Sequence, residues 1–480
     1  MASITKEVEK ELIPFVRLYK DGSVERLGNS PYVPPSPQDT ETGVSSKDIT
    51  ISQDRSISAR LYLPKLNQPL HQKLPILIYF HGGGFCIESA FSSDHQRYLN
   101  SLVSQAQVVA VSVEYRLAPE HLLPIAYEDS WAALQWVVSH FVDDNIVNKE
   151  PWLINHGDFN RVFLGGDSAG ANIVHNIALR AGVEGLHGGA RITGSFLTHP
   201  FFWGLKPVGS EYTAEREKGL AYSIWNLVYP SAPGGIDNPM INPFSPGAPS
   251  LAGLDCSRLL VTVSEKDRLR DRGIMYYNAV KESEWKGEVE LIEVEGEGHA
   301  FQILDCGTEN ANNLIKRLAS FLFNSGANTA HNLALRAGTE SLPGGVKIFG
   351  AFLSQPYFWG SNPIGSESKE EHEKSLTSLI WSLVYPSATG GIDSPLINPL
   401  GPGAPSLAGL ACDKLLVCVA EKDILRERGV WYCDEVKKSG WKGEVELFEV
   451  KGEDHAFHFF NFETENAKAM IKGLASFLKV

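Results

Sequence analysis

The sequence predicts an α/β protein in which a parallel β-sheet is covered by helices. In residues 1–324, runs of apolar, β-branched residues alternate with amphipathic stretches, and this alternation is typical of parallel sheets with helical crossovers. The composition agrees, because 43% of the 480 residues are hydrophobic and 21% are charged, as in globular proteins with a sizeable core. Length alone predicts about three domains, but an internal repeat changes that count.

Eight strands and five helices are predicted in residues 1–324 from the periodicity of the apolar residues. The strands are Asp48–Ser52, Ser58–Leu63, Ile76–Phe80, Val108–Val113, Val162–Gly165, Ile192–Thr198, Leu259–Ser264 and Val289–Val294. The helices are Ser93–Ser104, Glu128–His140, Ala169–Ala181, Asp267–Glu282 and Asn310–Asn324. The Pro- and Ser-rich stretch Asn29–Pro37 is predicted to be a loop. Residues 204–256 hold many Gly and Pro around a helix-like Tyr212–Val228, and we expect an insertion above the sheet.

Residues 325–480 repeat residues 169–324 without a gap. Matching positions lie 156 residues apart, and about three-fifths of them are identical, far more than convergent patterning produces. The matches pair Gly170-Ala171-Asn172 with Gly326-Ala327-Asn328, Phe202-Trp203-Gly204 with Phe358-Trp359-Gly360, Glu265-Lys266-Asp267 with Glu421-Lys422-Asp423, and His299-Ala300-Phe301 with His455-Ala456-Phe457. Nothing in the second copy corresponds to residues 1–168. We therefore expect a complete domain at 1–324 and a partial one at 325–480.

The charge and the apolar runs exclude several classes of partner. The net charge is −14, which repels nucleic acid and anionic membranes. Apolar runs such as Leu74–Phe80 are far shorter than the ~20 residues that a membrane span needs. The first ten residues lack the apolar core of a secretory signal, and six cysteines without close pairing fit a reducing compartment. We expect a cytoplasmic protein.

The segment Gly166-Asp167-Ser168-Ala169-Gly170 matches a nucleophile elbow. It lies between an apolar strand and a helix-like stretch, and the elbow is a tight strand-to-helix turn that projects a serine hydroxyl from the sheet. Its two outer glycines let neighbouring backbones approach more closely than a Cβ permits. The motif alone also suits a glycine-softened turn with a helix-capping serine, so the interpretation depends on the flanking strand and helix.

A second glycine-rich loop, His81-Gly82-Gly83-Gly84-Phe85, follows a predicted strand. Consecutive glycines leave their N–H groups unobstructed, so these groups can point at a developing oxyanion. The N–H of Ala169 would be a further donor at the positive end of its helix. No Lys follows Gly84, which excludes a phosphate-binding loop. A turn without chemical role is the alternative, and we expect His81 to be a scaffold for the loop rather than a base.

A serine nucleophile needs a histidine base and a carboxylate that orients the histidine. Asp267 and His299 each come just after a predicted strand, and with Ser168 they give the chain order serine, acid, histidine. The expected reaction is acyl transfer in two steps. No metal or organic cofactor is expected, because the sequence has no His-Glu-x-x-His or Cys-x-x-Cys set and no strand followed by Gly-x-Gly-x-x-Gly.

Four other side chains compete for these two roles. Glu265 lies very close to the end of its strand, and Asp271 falls a helical turn beyond Asp267. Among the bases, His175 lies inside the helix after the nucleophile, where a core or surface histidine is the usual interpretation. His199 follows a strand but precedes every candidate acid. Loop position therefore favours Asp267 and the histidine that follows it.

Together these motifs resemble the hormone-sensitive-lipase-like group of α/β-hydrolases. The segments concerned are His81-Gly82-Gly83-Gly84, Tyr115-Arg116-Leu117-Ala118-Pro119-Glu120-His121, Gly166-Asp167-Ser168-Ala169-Gly170, Asp267 and Gly298-His299-Ala300-Phe301. Phe15-Val16-Arg17-Leu18-Tyr19-Lys20-Asp21-Gly22 and Tyr127-Glu128-Asp129-Ser130-Trp131 are similar to plant carboxylesterases in particular. The resemblance covers residues 1–324, and 325–480 resemble a second copy of that family's C-terminal half.

The resemblance implies an α/β-hydrolase fold. This fold has an eight-stranded, mostly parallel sheet with helices on both faces, and a cap formed here by the N-terminus and residues 204–256. The resemblance assigns the catalytic triad to Ser168, Asp267 and His299 and the oxyanion hole to the N–H groups of Gly83, Gly84 and Ala169. It implies a carboxylesterase that hydrolyses small esters through an acyl-enzyme on Ser168.

Two other activities occur among proteins of this type. The 2-hydroxyisoflavanone dehydratases use the same groups to eliminate water from a hydroxylated phenolic substrate. The gibberellin receptors bind a small molecule without catalysis and lack the histidine that stands here as His299. The motifs favour an enzyme over a receptor, but they do not separate the esterase from the dehydratase.

The partial copy is expected to be catalytically silent. At the offset of 156 residues, the position of Ser168 is taken by Asn324, and no glycine-rich oxyanion loop accompanies the copy. Asp423 and His455 would then be an acid and a base with no nucleophile to activate.

Overall fold

The chain divides into two units, Met1–Leu322 and Phe323–Val480. A computed structural model describes residues 6–66, 73–142, 149–211, 219–323, 326–339, 347–365, 367, 390–455, 457–460 and 464–477. The predicted boundary between residues 324 and 325 lies outside the described residues, as does the 212–218 part of the predicted helix Tyr212–Val228.

The first unit begins with a small antiparallel sheet that the apolar pattern did not predict. Its strands are β1 (Val8–Leu12), β2 (Val16–Tyr19) and β3 (Val24–Arg26), in the order β1-β2-β3. Charged side chains alternate with apolar ones here, and four of the five β1 residues are exposed. Ion pairs such as Arg17 with Glu11 and Glu25 link the strands. Such strands leave no continuous apolar run in the sequence.

An eight-stranded, mostly parallel sheet forms the centre of the first unit, as predicted. Its strands are β4 (Ser45–Ser52), β5 (Ile57–Leu63), β6 (Leu74–Phe80), β7 (Val109–Glu114), β8 (Gly157–Asp167), β9 (Ile192–Thr198), β10 (Cys256–Ser264) and β11 (Glu288–Val294). They lie in the order β11-β10-β9-β8-β6-β7-β5-β4. The six strands from β11 to β7 are parallel, whereas β5 pairs antiparallel with both β4 and β7. Strand β6 is apolar and buried along its whole length, because both faces of the sheet are covered.

Helices cover both faces of this sheet. They are α1 (Ser93–Ala106), α2 (Ile125–Val142), α3 (Pro151–His156), α4 (Ala169–Glu184), α5 (Leu220–Val228), α6 (Arg270–Glu282), α7 (Phe301–Leu304) and α8 (Glu309–Phe323). Buried residues of α2, α4 and α6 belong to one apolar core, and those of α1 and α8 belong to a second. Helix α6 begins three residues after its predicted start, because the Asp267 carboxylate accepts a hydrogen bond from the Leu269 N–H at 2.9 Å and so lies in the preceding loop.

The second unit reproduces the last three strands of the first. Strands β12 (Ile348–Ser354), β13 (Cys412–Ala420) and β14 (Glu444–Val450) are parallel and lie in the order β12-β13-β14. Its helices are α9 (Gly326–Thr339), α10 (Arg426–Lys438), α11 (Phe457–Phe460) and α12 (Glu465–Phe477). Within the described residues, β12 is an edge strand, whereas its counterpart β9 pairs on both sides. Across the described part of both units, no helix has the length and hydropathy that a membrane crossing requires.

Candidate active site

Ser168 is the single residue between the end of β8 and the start of α4. Its backbone has φ 52° and ψ −113°, a region that a non-glycine residue occupies only when its surroundings hold it there. The Ser168 N–H donates to the Thr198 carbonyl at 2.8 Å. A Cβ on Gly170 would lie 1.9 Å from the Phe80 carbonyl oxygen, and one on Gly166 would lie 2.5 Å from the Gly170 backbone. The turn therefore requires both glycines of the motif.

A continuous hydrogen-bonded relay connects Ser168 to a buried carboxylate. His299 Nε2 lies 2.8 Å from Ser168 Oγ, and His299 Nδ1 lies 2.8 Å from Asp267 Oδ2. With Nδ1 protonated against the carboxylate, Nε2 is left as an acceptor for the Ser168 hydroxyl. The Asp267 side chain is 3% exposed and that of His299 is 38% exposed. The acid is thus shielded from water, while the base is partly exposed to it.

The relay shifts the pKa values of both titratable members. Burial lowers the pKa of His299, but the hydrogen bond and the negative charge of Asp267 outweigh burial and raise that pKa above its ordinary 6.5. Burial raises the pKa of Asp267, but its hydrogen bond to His299 outweighs burial and keeps that pKa below its ordinary 3.8. A carboxylate that stays ionised stabilises the imidazolium formed when the base takes a proton.

The glycine-rich loop after β6 presents free N–H groups near the serine. Gly83 has φ +95° and Gly84 has φ +59°, in the left-handed region that favours glycine. Among the described residues, no hydrogen bond is donated by the N–H groups of Gly83, Gly84 or Ala169. A Cβ on Gly84 would lie 3.2 Å from Ile224 and 3.5 Å from Phe15. Helix α5 and the N-terminal segment therefore lie over this loop, where the cap was predicted.

The rival acids have other partners. Asp271 Oδ2 accepts from the Ser210 N–H at 2.6 Å and from its hydroxyl at 2.7 Å. Glu265 accepts from the Gly296 N–H at 2.7 Å on the exposed surface. Only Asp267, of the three, is within hydrogen-bonding distance of His299.

The other histidines near the site have structural contacts. His175 Nδ1 lies 2.8 Å from the Tyr276 hydroxyl inside the core. His199 Nε2 lies 2.6 Å from Ser264 Oγ, and burial lowers its pKa to about 3, so that it is neutral. His81 stacks on the Tyr115 ring at 4.3 Å, and its Nδ1 lies 2.8 Å from the Gly82 carbonyl. These contacts place His81 against the glycine-rich loop and away from the serine.

The second unit contains the same acid–base pair. His455 Nδ1 lies 2.8 Å from Asp423 Oδ2, and the His455 side chain is 38% exposed, as in the first copy. The position that corresponds to Ser168, Asn324, lies outside the described residues. Within the described chain, no cluster of His, Cys, Asp and Glu side chains has three members placed to hold a metal ion.

Several polar residues behind the elbow were missed by the sequence analysis. The Tyr79 hydroxyl donates to Asp167 Oδ1 at 2.5 Å, and His95 lies between Asp167 and Glu88. Asp167 belongs to the elbow motif, but Tyr79, Glu88 and His95 are distant from it in sequence and belong to no motif that the sequence analysis recognised. A polar residue such as His95 in an amphipathic helix is usually solvent-exposed, so only the tertiary structure identifies the cluster.

Comparisons with known proteins show which family this chain is similar to. The family model for the alpha/beta hydrolase fold matches residues 77–303 and 324–459. The chain is 61% identical over 319 residues to a 2-hydroxyisoflavanone dehydratase of Glycyrrhiza echinata, a match that covers 66% of this chain and 97% of that protein. It is 45% identical over 322 residues to probable carboxylesterase 2 of Arabidopsis thaliana, covering 67% of this chain and 98% of that protein. Among solved structures, an esterase of the archaeon Pyrobaculum calidifontis matches at 27% identity with a TM-score of 0.47, covering 58% of this chain and 84% of the other.

The family match extends over most of the chain: its first segment includes most of the first copy of the repeat and the residues before it, and its second segment covers most of the second copy. The predicted resemblance to plant carboxylesterases, the predicted fold and the prediction of an enzyme of this type are confirmed. The chain belongs to the α/β-hydrolase fold family.

Proposed function

We propose that this chain is a serine carboxylesterase that hydrolyses small carboxylic esters through an acyl-enzyme on Ser168. The observation that supports this most is the relay from Asp267 through His299 to Ser168, in which both hydrogen bonds measure 2.8 Å. A nucleophile, a base and an orienting acid in this order form the arrangement required for acyl transfer.

In the first step, Ser168 Oγ attacks the ester carbonyl carbon while His299 Nε2 accepts the hydroxyl proton. The carbonyl oxygen becomes an oxyanion, which the free N–H groups of Gly83, Gly84 and Ala169 would receive. One such donor typically contributes about 3–4 kcal/mol to the stability of the transition state. When the tetrahedral intermediate collapses, His299 gives its proton to the leaving alcohol, and the acyl group remains on Ser168.

In the second step, His299 takes a proton from a water molecule that attacks the acyl-enzyme. A second oxyanion forms at the same loop. Its collapse returns the proton to Ser168 Oγ and releases the carboxylic acid. The His299 side chain is partly exposed, which supports access of this water molecule to the base.

The first experiment is a panel of chromogenic esters of increasing acyl length, assayed with wild type and Ser168→Ala. We expect turnover by wild type and less than a few per cent of it in the variant, with the same melting temperature, because the hydroxyl makes no packing contact that the fold needs. Asp423→Asn is the matched control, since it removes an acid of the second unit and should leave turnover unchanged. Activity retained by Ser168→Ala with intact folding would contradict the assignment.

A dehydratase is the second candidate function. It is favoured by the 61% identity to a 2-hydroxyisoflavanone dehydratase, which covers nearly the whole of that protein. On this site, the oxyanion loop would polarise a ketone while His299 removes a proton from the neighbouring carbon, and hydroxide would leave with a proton as water. Incubation with a 2-hydroxyisoflavanone distinguishes the two reactions, because the dehydratase forms the isoflavone and no acid is released.

A non-catalytic receptor is the third candidate, and His299 weighs against it. A receptor would bind a small molecule without turnover of either substrate. The ester and hydroxyisoflavanone assays together therefore separate binder from enzyme. Under the two enzymatic proposals, the substrate is a small ester or a hydroxylated phenolic compound.

The cytoplasmic location predicted from the cysteines can be tested with a fluorescent fusion.

For the domain arrangement, we propose a complete hydrolase at 1–324 and a silent partial copy at 325–480. The complete sheet and the relay both belong to the first unit. The second unit has the dyad of Asp423 and His455, but its three-stranded sheet lacks counterparts of β4 to β8 among the described residues. Because Asn324 takes the sequence position of Ser168, His455 would have no corresponding serine to activate.

A further inference from the structure

A buried charge cluster of Glu88, His95 and Asp167 lies behind the nucleophile elbow. His95 Nδ1 is 3.4 Å from Glu88 Oε2, and His95 Nε2 is 3.5 Å from Asp167 Oδ1. The exposed fractions of the three side chains are 2% for His95, 12% for Glu88 and 5% for Asp167. The two distances are those of ion pairs, and the contact to Asp167 is too long for a good hydrogen bond. His95 Nδ1 also lies 3.2 Å from the Ser92 hydroxyl, which donates to Glu88. Charge and this bridging hydroxyl therefore join the three groups.

Asp167 connects the cluster to both halves of the site. It directly precedes Ser168, and a Cβ on Gly82 would lie 2.2 Å from Asp167 Oδ2. The carboxylate is therefore packed against the backbone of the glycine-rich loop. Its other oxygen accepts the Tyr79 hydroxyl at 2.5 Å. A movement of Asp167 would displace the loop and the serine relative to each other.

Glu88 connects the cluster to the far end of the same loop. Its backbone is left-handed, with φ 67°, which is a strained conformation for a glutamate. Its carboxylate accepts the Ser30 N–H and hydroxyl, both at 2.8 Å, and the Ser92 hydroxyl at 2.7 Å. The loop from Gly82 to Glu88 thus has a buried carboxylate against each end, with His95 between them.

Two buried carboxylates require a compensating positive charge. Burial lowers the pKa of His95, but Asp167 and Glu88 outweigh burial and raise that pKa to about 9. Burial raises the pKa of Glu88, but His95 and the serine hydrogen bonds bring that pKa down to about 2. The third neighbour, His81, has its pKa lowered to about 4, chiefly by burial. At neutral pH the cluster therefore consists of one imidazolium between two carboxylates.

We propose that His95 is a positioning residue: its positive charge holds Glu88 and Asp167 together and thereby fixes the glycine-rich oxyanion loop relative to Ser168. His95 touches no substrate and acts only through the two carboxylates. The inference rests on the proposed acyl transfer at Ser168. It adds a component to the site that lies on α1, in a part of the chain that supplies no member of the relay.

The first test is His95→Gln, which keeps polarity and approximate size but removes the charge. We expect kcat for a chromogenic ester to fall by about 10- to 100-fold with KM within threefold, since an error of about 1 Å between reacting groups costs that much. The matched control is His175→Gln, which replaces another buried histidine, one that has a hydroxyl partner and no carboxylate. It should lower the melting temperature without lowering kcat. Equal kcat for His95→Gln and wild type would overturn the proposal, as would an equal fall of kcat in both variants.

The second test is charge rescue with the double variant His95→Gln/Glu88→Gln. The single His95 variant leaves two buried carboxylates uncompensated, and the second substitution removes one of these charges. The amide oxygen that Glu88→Gln introduces, placed at the position of Oε2, can still accept from the Ser30 and Ser92 hydroxyls, whereas the Ser30 N–H loses its acceptor. We expect kcat of the double variant to be at least about threefold higher than that of His95→Gln. Independent sites do not show such coupling. Additive losses would overturn the proposal.

A third measurement separates this proposal from the proposed function. A fluorophosphonate probe phosphonylates an activated serine through the same oxyanion loop, so its labelling rate reports loop geometry whatever the natural substrate is. If the wild type is labelled rapidly but hydrolyses no ester, the proposed esterase function is refuted. The labelling rate can then still be used to test the role of His95. A labelling rate unaffected by His95→Gln would refute the positioning role in either case.

Discussion

His299 exchanges protons with the nucleophile and the leaving group, and it adds little to the contacts that hold a bound substrate. Replacing it by an apolar residue should therefore affect the transition state far more than the ground state. For His299→Val we expect kcat to fall by about 10⁶-fold while the affinity for a substrate or inhibitor stays within a few-fold. Isothermal titration with a slow substrate and single-turnover kinetics measure the two quantities. Affinity that falls in proportion to turnover would mean that His299 has a structural role.

The pH dependence of the reaction follows from the same residue. The base must be neutral to accept the Ser168 proton, and Asp267 raises the pKa of His299 above 6.5. The acid limb of kcat/KM should therefore have its midpoint above pH 6.5, with activity lost as the pH falls through that midpoint. In Asp267→Asn the charge is absent, so the midpoint should move to lower pH and the plateau should drop. The neighbouring groups are His199, which is neutral here, and Asp167, whose charge adds to that of Asp267. If the midpoint of the acid limb is the same in Asp267→Asn as in wild type, the acid limb reports the titration of another group.

Among the elements, the turn from β8 to α4 has very little tolerance for added atoms. A Cβ on Gly170 would lie 1.9 Å from the Phe80 carbonyl oxygen. That oxygen is a backbone atom and the Cβ is bonded directly to the backbone, so neither can rotate away. Gly170→Ala should destabilise the first unit by at least about 3 kcal/mol and reduce labelling of Ser168. Gly253→Ala is the matched control, because its nearest neighbour would be Leu179 at 3.9 Å. Chemical denaturation monitored by tryptophan fluorescence compares the two variants. Equal stability of both would show that the turn can relax.

The central strands and the relay were predictable from sequence because each depends on local chemistry. Strand β6 is buried along its length, so its residues form a continuous apolar run whose shortness favours a buried strand over a helix. Asp267 and His299 were found because they follow strands in a fixed order. The N-terminal sheet was not predicted, since the charged residues of β1 lie on the surface. The partners of His95 were not predicted either, because Glu88 and Asp167 come together only when β6, β8 and α1 pack.

At the scale of the whole molecule, a comparison of the two copies distinguishes the residues that folding requires from those that the relay requires. The ion pair of Arg272 with Glu211 in the first copy returns as Arg428 with Glu367, with distances of 2.6 Å and 2.8 Å. Next to the relay, by contrast, His199 is replaced by Gln355 and Ser264 by Ala420. The second copy has therefore kept this internal ion pair and has lost the histidine–serine contact next to the relay. A module that folds without catalysing is the simplest interpretation.

The second copy competes in principle with residues 169–324 for completing the sheet of residues 1–168. That exchange would separate Ser168 from the helix that follows it directly and would close a loop of 156 residues. Loop closure alone disfavours it by about 4.5 kcal/mol. The first copy needs no such loop, because its first helix, α4, directly follows β8 in the sequence. The hydrolase should therefore be assembled from residues 1–324 in nearly every molecule.

A chain that ends at Asn324 tests this arrangement directly. We expect it to match the full chain in kcat and KM, because the relay and the oxyanion loop all precede that residue, and we expect Asp423→Asn and His455→Ala in the full chain to be equally active. The edge of β12 supplies a second readout. Strand β9 pairs on both sides and buries Phe196 completely, whereas the corresponding Phe352 in β12 is only partly buried. An edge of this kind pairs readily with other chains, so sedimentation should show concentration-dependent association of the full chain that the shorter chain lacks. Loss of activity on truncation, or in either variant with folding intact, would mean that the second copy takes part in catalysis.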